Sequence, residues 1–294
     1  MNWRIAMQDY NCDWALHDVA ATPKSTAGYL SREEAVGLLG TLQLDGIELM
    51  HDYWIDYPTE KLKDLTQNAG LPIVAYIFFV DLAVPERERP SKIEEVHVLL
   101  DRTALLGAPF AMIVPGVVKK GPALGEQRQW IVDGLRQCTD HAASLGVTMV
   151  AENIDYPPTS PLMGNPVDCC DICEAIDSPA FRLIFDPGAA LFVGEDPLST
   201  LNLMAPHISH VHIKNIRAVR PDEPRERFFT AEDGTRYTGT DLETGLIKIS
   251  PIFSKLNEID YNGYLSIEYQ GEEDPRIALP RNLKYFRDVL LNND

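Results

Sequence analysis

The stretch Gly146-Val-Thr-Met-Val-Ala-Glu-Asn153 decides how the rest of the sequence is interpreted. Its residues Val147, Met149 and Val150 have the apolar, partly β-branched character of a strand that is buried on both faces. The strand then ends on a carboxylate, Glu152. A charge at the end of a buried strand is costly unless another group neutralises it. The stretch therefore predicts a buried strand with a partnered carboxylate at its carboxyl end.

The same pattern recurs downstream. Strand-like runs that begin at positions 181, 207 and 263 lead into Asp186, His212 and Glu268, respectively. One such run means little, because most strands end beside something polar. Four runs in succession, each separated from the next by room for a helix, are a strong signal for a shared site.

Strand and helix patterns alternate along the whole chain. The predicted strands are 3–7, 46–50, 71–79, 110–114, 147–152, 181–186, 207–212 and 263–268. The predicted helices are 31–42, 59–69, 91–106, 126–145, 166–176, 197–204, 250–258 and 277–291. This alternation predicts an α/β fold, a (β/α)8 TIM barrel that forms a single domain over residues 1–294. A doubly wound open sheet is the competing architecture, but the first strand lacks the glycine-rich turn that would favour it.

Composition narrows the class of partner. The formal net charge of −18 argues against nucleic acid, because binding phosphates requires a basic surface. No apolar run approaches the ~20 residues of a membrane span. The amino terminus resembles a strand rather than a signal peptide, so we expect a cytoplasmic protein. The five cysteines do not form the pattern of a secreted disulfide framework.

A metal site is predicted at one face of the barrel. All eight strands of such a barrel point their carboxyl ends to the same face. Glu152, Asp186, His212 and Glu268 would therefore form an arc at the ends of strands five to eight, and the opposite half would stay open for a substrate. Three carboxylates and one imidazole suit a divalent cation, and we expect Mn2+, with Mg2+, Co2+ or Zn2+ as alternatives.

Four motifs carry a resemblance to a known family. They are Glu-Asn at 152–153, Asp-Pro-Gly at 186–188, His-Val-His-Ile-Lys-Asn at 210–215 and Gly-Tyr-Leu-Ser-Ile-Glu-Tyr at 263–269. With them the chain resembles the sugar-phosphate isomerase/epimerase family of xylose-isomerase-like barrels, weakly in its first half and well in its second. The family's substrates include unphosphorylated ketoses and inositol-derived ketones, so the resemblance indicates the chemistry better than the substrate.

The resemblance implies roles for individual positions. It implies that Glu152, Asp186, His212 and Glu268 hold the metal, and that the two glutamates act as the acid/base pair, as in the ketose 3-epimerases of the family. A metal that binds a ketone oxygen and a neighbouring hydroxyl acidifies the C–H between them and stabilises the enediolate. Glu152 on one flank would take the proton, and Glu268 on the other would return it.

One position departs from the family pattern. Many members carry a histidine three residues after the strand-six aspartate, where it contacts the substrate, but this chain has Ala189 there. A substrate oxygen then loses a hydrogen-bond partner, which weighs against ordinary ketose epimerisation. Arg217 lies near a position where members carry an arginine that contacts the substrate, and the resemblance implies the same role here.

Several further residues have two interpretations. Lys214 either contacts a substrate oxygen or pairs with a carboxylate such as Glu268. We expect His210 to be a hydrogen-bonded packing histidine, with a second metal ligand as the alternative. His51 and Glu48 would line the mouth, or form an internal ion pair or a solvated loop. Tyr76 and its aromatic neighbours either pack in the core or stack on a sugar or an aglycone; these neighbours are Tyr53, Trp54, Phe78 and Phe79.

Two other features can be explained by structure alone as well as by function. Cys169, Cys170 and Cys173 share a predicted helix, and we expect buried thiols rather than a redox pair. The polar excursion 218–246 carries Arg220, Arg225, Arg227 and Arg236, and is either a lid, a solvated loop or a contact within a homo-oligomer. The ends of the first four strands are almost free of basic residues, which disfavours a phosphorylated substrate.

The sequence therefore predicts a metal-dependent isomerase or epimerase that acts on a neutral keto-sugar through an enediolate. The alternative is a lyase or dehydratase on a keto-polyol or keto-glycoside, which begins with the same proton abstraction and then expels a β-leaving group. A non-catalytic sugar-binding barrel is a third hypothesis, against which the full set of ligand residues speaks. A barrel endonuclease would need more histidines and a basic face.

Overall fold

Parallel strands close into a barrel in the computed structural model, which describes residues 3–16, 30–154, 159–223 and 228–291. The strands in the described residues are β1 (Arg4–Gln8), β2 (Gly46–Met50), β3 (Ile73–Phe79), β4 (Phe110–Val114), β5 (Thr148–Glu152), β6 (Phe181–Phe185), β7 (Ile208–Lys214), β8 (Ile216–Ala218), β9 (Phe229–Thr230), β10 (Arg236–Gly239) and β11 (Tyr264–Glu268). Strands β1 to β7 pair in chain order, and β11 closes the ring between β7 and β1. The predicted TIM barrel is confirmed.

Helices surround the barrel. Within the described residues they are α1 (Arg32–Gly40), α2 (His51–Trp54), α3 (Thr59–Asn68), α4 (Arg89–Leu106), α5 (Leu124–Ser144), α6 (Ser160–Met163), α7 (Pro166–Ile176), α8 (Pro187–Phe192), α9 (Pro197–Met204), α10 (Ile249–Glu258) and α11 (Pro275–Leu291), with a 3-10 helix at Asp9–Ala15. The eight predicted helices are present with ends that shift by at most two residues. The short helices α2, α6 and α8 were not predicted, because elements this short show no periodicity. None of the helices in the described ranges is both long and apolar enough to cross a membrane.

Local sequence signals explain where the helices begin and end. Ser31 and Glu34 form a capping box at the start of α1: the Ser31 hydroxyl accepts the Glu34 N–H at 3.1 Å, and the Glu34 carboxylate accepts the Ser31 N–H at 2.8 Å. Helix α4 ends at Leu106, and the next residue, Gly107, adopts a left-handed conformation with φ of 79°. Only glycine reaches this conformation without a steric penalty.

The two-residue alternation of the strands decides which side chains enter the barrel. Ile77, Met112, Val150 and Ile184 form an apolar layer inside it. Their sequence neighbours point outward and pack against the helices in a separate, larger core. In β7, the outward residues Val211 and Ile213 belong to that outer core. The inward positions of β7 are therefore His210, His212 and Lys214.

The segment predicted as a polar excursion contains structure of its own. Strands β8, β9 and β10 form a three-stranded antiparallel sheet within it. Asn215 precedes the excursion and connects its start to its end. Its side-chain amide donates to the carbonyls of Leu242 at 2.8 Å and Ile247 at 2.9 Å. The guanidinium of Arg236 lies 4.9 Å from the ring centroid of Phe228. Arg225 and Arg227, which were named with this excursion, lie outside the described residues.

Candidate metal centre and active site

The four predicted strand-end residues meet at one place. Glu152 is the last residue of β5, Asp186 directly follows β6, His212 lies in β7 and Glu268 is the last residue of β11. Each of them offers a ligand atom, and these four atoms all lie within 4.8 Å of one another. All four residues are buried. The adjacency of β5, β6, β7 and β11 in the barrel explains this convergence.

The His212 ring has one nitrogen on each side of the site. Its Nδ1 lies 2.7 Å from Glu152 Oε1 and 3.4 Å from Glu268 Oε2. Its Nε2 lies 3.2 Å from Glu48 Oε2. When Nε2–H donates to Glu48, Nδ1 faces the two carboxylates, either as an N–H donor to Glu152 or, once deprotonated, with a lone pair for a cation. Nδ1 is therefore the nitrogen that faces the ligand cluster.

Glu48 is an inward residue of β2 with no exposed surface. Its Oε1 accepts a hydrogen bond from His210 Nε2 at 2.8 Å, so one carboxylate holds two imidazoles across the barrel. Burial disfavours the charged form, but His210 and His212 outweigh burial and lower the pKa of Glu48 below its ordinary value. Of the interpretations open for Glu48, the structure shows the internal ion pair, and His210 is its hydrogen-bonded packing partner.

The Asp186 carboxylate is held by its own loop. Its Oδ1 accepts the backbone N–H of Gly188 at 2.6 Å and of Ala189 at 3.3 Å, which caps the start of α8. Asn153 fixes the backbone on the other side, because its side chain donates to the Asp186 carbonyl and accepts the Asp186 N–H, both at 2.8 Å. The Glu-Asn and Asp-Pro-Gly motifs are thus one connected unit.

Lys214 adds a buried cation to this unit. Its Nζ lies 2.6 Å from Asp186 Oδ2 and 3.3 Å from Glu268 Oε1. The pairing with Glu268 is one of the two interpretations that the sequence left open. The lysine side chain also runs close to Gly188, where an added Cβ would lie only 2.8 Å from Lys214 Cε. Gln270 completes the surroundings of Glu268 by donating to its Oε1 at 2.7 Å.

A divalent cation fits the donor atoms that remain. Glu268 Oε2 is buried and accepts no hydrogen bond from the described part of the chain. A buried acceptor without a donor is costly, and a cation would satisfy it. Each carboxylate oxygen has a second lone pair, so a contact with one donor does not prevent the same oxygen from binding a cation. Three carboxylates with one imidazole form a candidate site for a hard or borderline divalent cation.

The surroundings treat the two glutamates differently. Burial raises the pKa of Glu152 to about 8, against the lowering effect of the His212 ring. Burial acts on Glu268 in the same direction, but Lys214 and His212 outweigh it and keep the pKa of Glu268 below its ordinary value. The pKa of His212 is held well above its ordinary value because Glu48 and Glu152 outweigh its burial.

Both glutamates line a cavity of about 540 Å3 at the mouth of the barrel. The remaining lining residues are Gln8, Tyr10, Asp13, Met50, Asp52, Tyr53, Ile77, Phe79, Met112, Val114, Val117, Ile154, Phe229 and Gln270. Phe229 comes from the excursion, which therefore contributes to the wall of the cavity. Gln8 and Gln270 were not singled out in the sequence. Their positions at or just after strand ends, in step with the inward residues of β1 and β11, are the signal that could have identified them.

The structure does not bring the residues predicted to bind substrate to this cavity. Tyr76 is an outward residue of β3 and is fully buried against the helices. Its hydroxyl lies 2.7 Å from His51 Nδ1, and the Arg102 guanidinium lies 5.4 Å from the centroid of its ring. Arg217 instead forms an ion pair with Glu223, with Nη2 2.6 Å from Oε1. Their placement corrects the expectation, because the alternation in β3 and the turn after β7 direct these side chains elsewhere.

Other expectations have mixed outcomes. Of the aromatic group, Tyr53 and Phe79 line the cavity, whereas Trp54 and Phe78 are buried in the outer core. The cysteines of α7 are buried free thiols, as expected; they are Cys169, Cys170 and Cys173. Ala189 is fully buried in α8.

Comparisons with known proteins identify the fold and the family of the chain. The chain is 26% identical over 272 residues to the inosose dehydratase of Geobacillus thermodenitrificans (strain NG80-2), which covers 86% of each chain. It is 25% identical over 270 residues to the 2-oxo-tetronate isomerase of Haemophilus influenzae, covering 87% of this chain and 93% of that relative. The crystal structure of the D-allulose 3-epimerase from Methylomonas sp. superposes with a TM-score of 0.75 at 16% identity, over 98% of both chains.

These relatives are enzymes of two kinds, and both kinds had been predicted from the sequence. The model of one protein family, the xylose isomerase-like TIM barrels, matches residues 38–289, which form most of the barrel. Because this match extends over far more than half of the chain and the barrel is closed as the family requires, the chain belongs to the family of xylose isomerase-like TIM barrels.

Proposed function

We propose that this protein is a divalent-metal-dependent isomerase or epimerase of a neutral keto-sugar. The observation that carries the proposal is the position of Glu152 and Glu268. Both line the cavity, and both contact the same nitrogen of His212. Two carboxylates placed in this way can serve a substrate carbon from two directions.

The metal would be held by Glu152, Asp186, His212 and Glu268, and we propose Mn2+, with Mg2+, Co2+ or Zn2+ as alternatives. When bound, the cation polarises the ketone and makes the neighbouring C–H acidic enough for a carboxylate to remove its proton. His212 would bind through Nδ1, because Nε2 faces Glu48. Lys214 and Asn153 keep Asp186 in place from opposite sides.

The remaining steps belong to the protein side chains. The cation that Glu152 would help to hold favours its ionised form, so that Glu152 can take the proton from the carbon next to the ketone. Glu268 first takes up a proton from solvent and then returns it to the carbon on the other flank. Lys214 and Gln270 both contact Glu268 Oε1, which restricts that carboxylate to one orientation. The apolar residues of the cavity wall exclude water from the reacting carbon, which protects the carbanion-like intermediate from side reactions.

The proposed substrate is neutral. Among the described residues that line the cavity there is no lysine or arginine, whereas Asp13 and Asp52 both belong to the wall. Recognition of a phosphate requires charged donors such as arginine. An unphosphorylated substrate therefore matches the wall. We keep a cytoplasmic location and a homo-oligomeric state as predictions, to be checked by cell fractionation and light scattering.

A dehydratase is the second candidate, favoured by two observations. The inosose dehydratase of G. thermodenitrificans is similar over most of both chains, and position 189, where the resemblance implies a histidine that contacts the substrate, is Ala189. Glu152 would remove the same proton and then transfer it to the hydroxyl on the next carbon, so that the C–O bond breaks, the C=C bond forms and the hydroxyl leaves as water.

One experiment separates the candidates. The protein, loaded with Mn2+, is incubated in D2O with a panel of ketoses and inososes and followed by NMR. Deuterium incorporation next to the ketone without loss of water supports the isomerase or epimerase. An unsaturated product supports the dehydratase instead. Absence of both deuterium incorporation and elimination across the panel would contradict an enzymatic role.

A further inference from the structure

The mouth of the barrel is divided into two halves of opposite character. One half is the metal centre described above. The other half, which we name the apolar arc, consists of residues at the ends of β2, β3 and β4 and in the loop after β4; they are Met50, Ile77, Phe79, Met112, Val114 and Val117. Glu152 and Glu268 line the same cavity as this arc. A ligand at the metal centre would therefore also meet the apolar arc.

The apolar arc has the composition of a binding wall for an apolar group. None of its six side chains can donate or accept a conventional hydrogen bond. Ile77 and Met112 continue into the apolar layer inside the barrel, so the wall has a firm base. Phe79 is 44% exposed at the end of its strand. An aromatic side chain in such a position offers a large apolar surface to a ligand.

An unsubstituted sugar does not match this wall. Such a sugar carries a hydroxyl on nearly every carbon, and hydroxyls pressed against apolar side chains lose water without gaining a partner. The cavity volume of about 540 Å3 also falls within the ~300–1,000 Å3 range of pockets for ligands larger than one small ring. The polar half suits the sugar, and the apolar arc suits something attached to it.

We infer that the substrate is a keto-sugar that carries a neutral apolar substituent, such as an aromatic aglycone, and that the apolar arc binds this substituent. The inference rests on the proposed function and deepens it. A glycosidic bond uses the anomeric carbon, so the ketone of such a substrate lies at another ring carbon. The substituent is neutral because a charge of either sign would lose water against the apolar arc without gaining a partner. Asp13 and Asp52, with no lysine or arginine among the described lining residues, disfavour an anion in addition.

The test compares one ketone with and without the substituent. The probes are 3-keto-glucose and phenyl 3-keto-glucoside, supplied to the Mn2+-loaded protein in D2O, with deuterium exchange next to the ketone and product formation as readouts. We expect kcat/KM for the phenyl glycoside to be at least about tenfold higher, because burying an apolar group in a matching pocket contributes a factor of this size or more.

Variants of the apolar arc locate the effect. Phe79→Ala and Val117→Ser are expected to lower kcat/KM about tenfold for the phenyl glycoside and to change it less than about threefold for the free sugar. Val118→Ser is the matched control, because Val118 is the next residue, is 37% exposed and is not part of the cavity wall. It should leave both substrates unaffected.

The possible results distinguish failure of this inference from failure of the proposed function. Equal turnover of the two probes would overturn this inference and leave the proposed function intact. So would an equal loss from Val117→Ser and Val118→Ser. Reaction of neither probe, together with no reaction of any ketose or inosose, would overturn the proposed function and this inference with it. If Phe79→Ala does not fold, the comparison of the two probes on the unmodified protein still decides the question.

Discussion

Glu48 Oε2 lies 3.2 Å from His212 Nε2, on the opposite side of the imidazole from the carboxylates that His212 Nδ1 faces. The same carboxylate accepts a hydrogen bond from His210 at 2.8 Å. Glu48 thus fixes both the orientation of the His212 ring and the nitrogen that is available to a metal. Carboxylate partners of this kind commonly raise the affinity of a histidine ligand.

Glu48→Gln is therefore expected to weaken metal binding. An amide offers one acceptor in place of two, so one of the two imidazoles loses its partner. We expect the affinity of the metal-free protein for Mn2+ to fall by about 10- to 100-fold, measured by titration calorimetry. Glu60→Gln, at an exposed glutamate of α3, is the control. Unchanged affinity in the Glu48 variant, with folding intact, would show that His212 is positioned without it.

Glu152→Gln tests the acid/base assignment. The amide keeps the size of the side chain but cannot accept the substrate proton, so we expect kcat to fall by at least about 100-fold at saturating Mn2+. The measurement is deuterium exchange next to the ketone. Glu126→Gln, at an exposed position of α5, should leave exchange unchanged. Full turnover by the Glu152 variant would mean that another group takes the proton.

Lys214→Met tests how the site is stabilised without metal. The substitution leaves the buried carboxylates of Asp186 and Glu268 without their ammonium partner, which costs about 3–5 kcal/mol when a buried ion pair is broken. We expect this loss in EDTA, in denaturant unfolding experiments, and a smaller loss in MnCl2, because the cation supplies the missing positive charge. If the free energy of unfolding falls by the same amount in EDTA and in MnCl2, Lys214 does not interact with the metal site.

Asp9→Asn tests a pH effect on stability away from the metal ligands. Burial raises the pKa of Asp9 to about 7, although N–H donors of Trp54 and Met50 act against burial, and Glu48 adds slightly to the rise. A raised pKa in the folded state means that the stability contribution is full below the unfolded pKa of 3.8 and is lost as pH rises through about 7.

The unmodified protein should accordingly lose stability over this pH interval, on the order of 4 kcal/mol for a shift of this size. The Asn variant should show a flatter profile in urea unfolding between pH 4 and 8. Asp64→Asn, at an exposed site in α3, is the control and should retain the slope. Parallel profiles for all three proteins would assign the pH dependence to other groups.

Some residues of the site could be predicted from local sequence patterns, whereas contacts between residues far apart in the sequence could not. The strand-end residues Glu152, Asp186, His212 and Glu268 were predictable because a parallel barrel brings the ends of all its strands together. An internal ion pair was one of the interpretations of Glu48, but its partners were not predictable, because His210 and His212 lie 162 and 164 residues away and no local pattern records a contact across the barrel.

Tyr76 illustrates a second limit. An apolar strand that is buried on both faces shows no alternation in its sequence, so the inward and outward positions of β3 could not be distinguished. Of the two interpretations open for Tyr76, the structure shows packing in the outer core, whereas Phe79 lines the cavity. Arg217 shows a third limit, since Glu223, its partner, lies in the excursion, and ion pairs between loop residues depend on a loop conformation that the sequence does not specify.

The close approach of Gly188 to Lys214 Cε has a consequence for protein engineering. A graft that replaces the Asp-Pro-Gly turn with one bearing any larger residue at position 188 would collide with the lysine stem. The lysine would have to shift, and with it the ammonium group that contacts Asp186, unless the segment around Lys214 were exchanged in the same step. These two stretches, 26 positions apart, therefore behave as a single module for any transplantation between barrels of this kind.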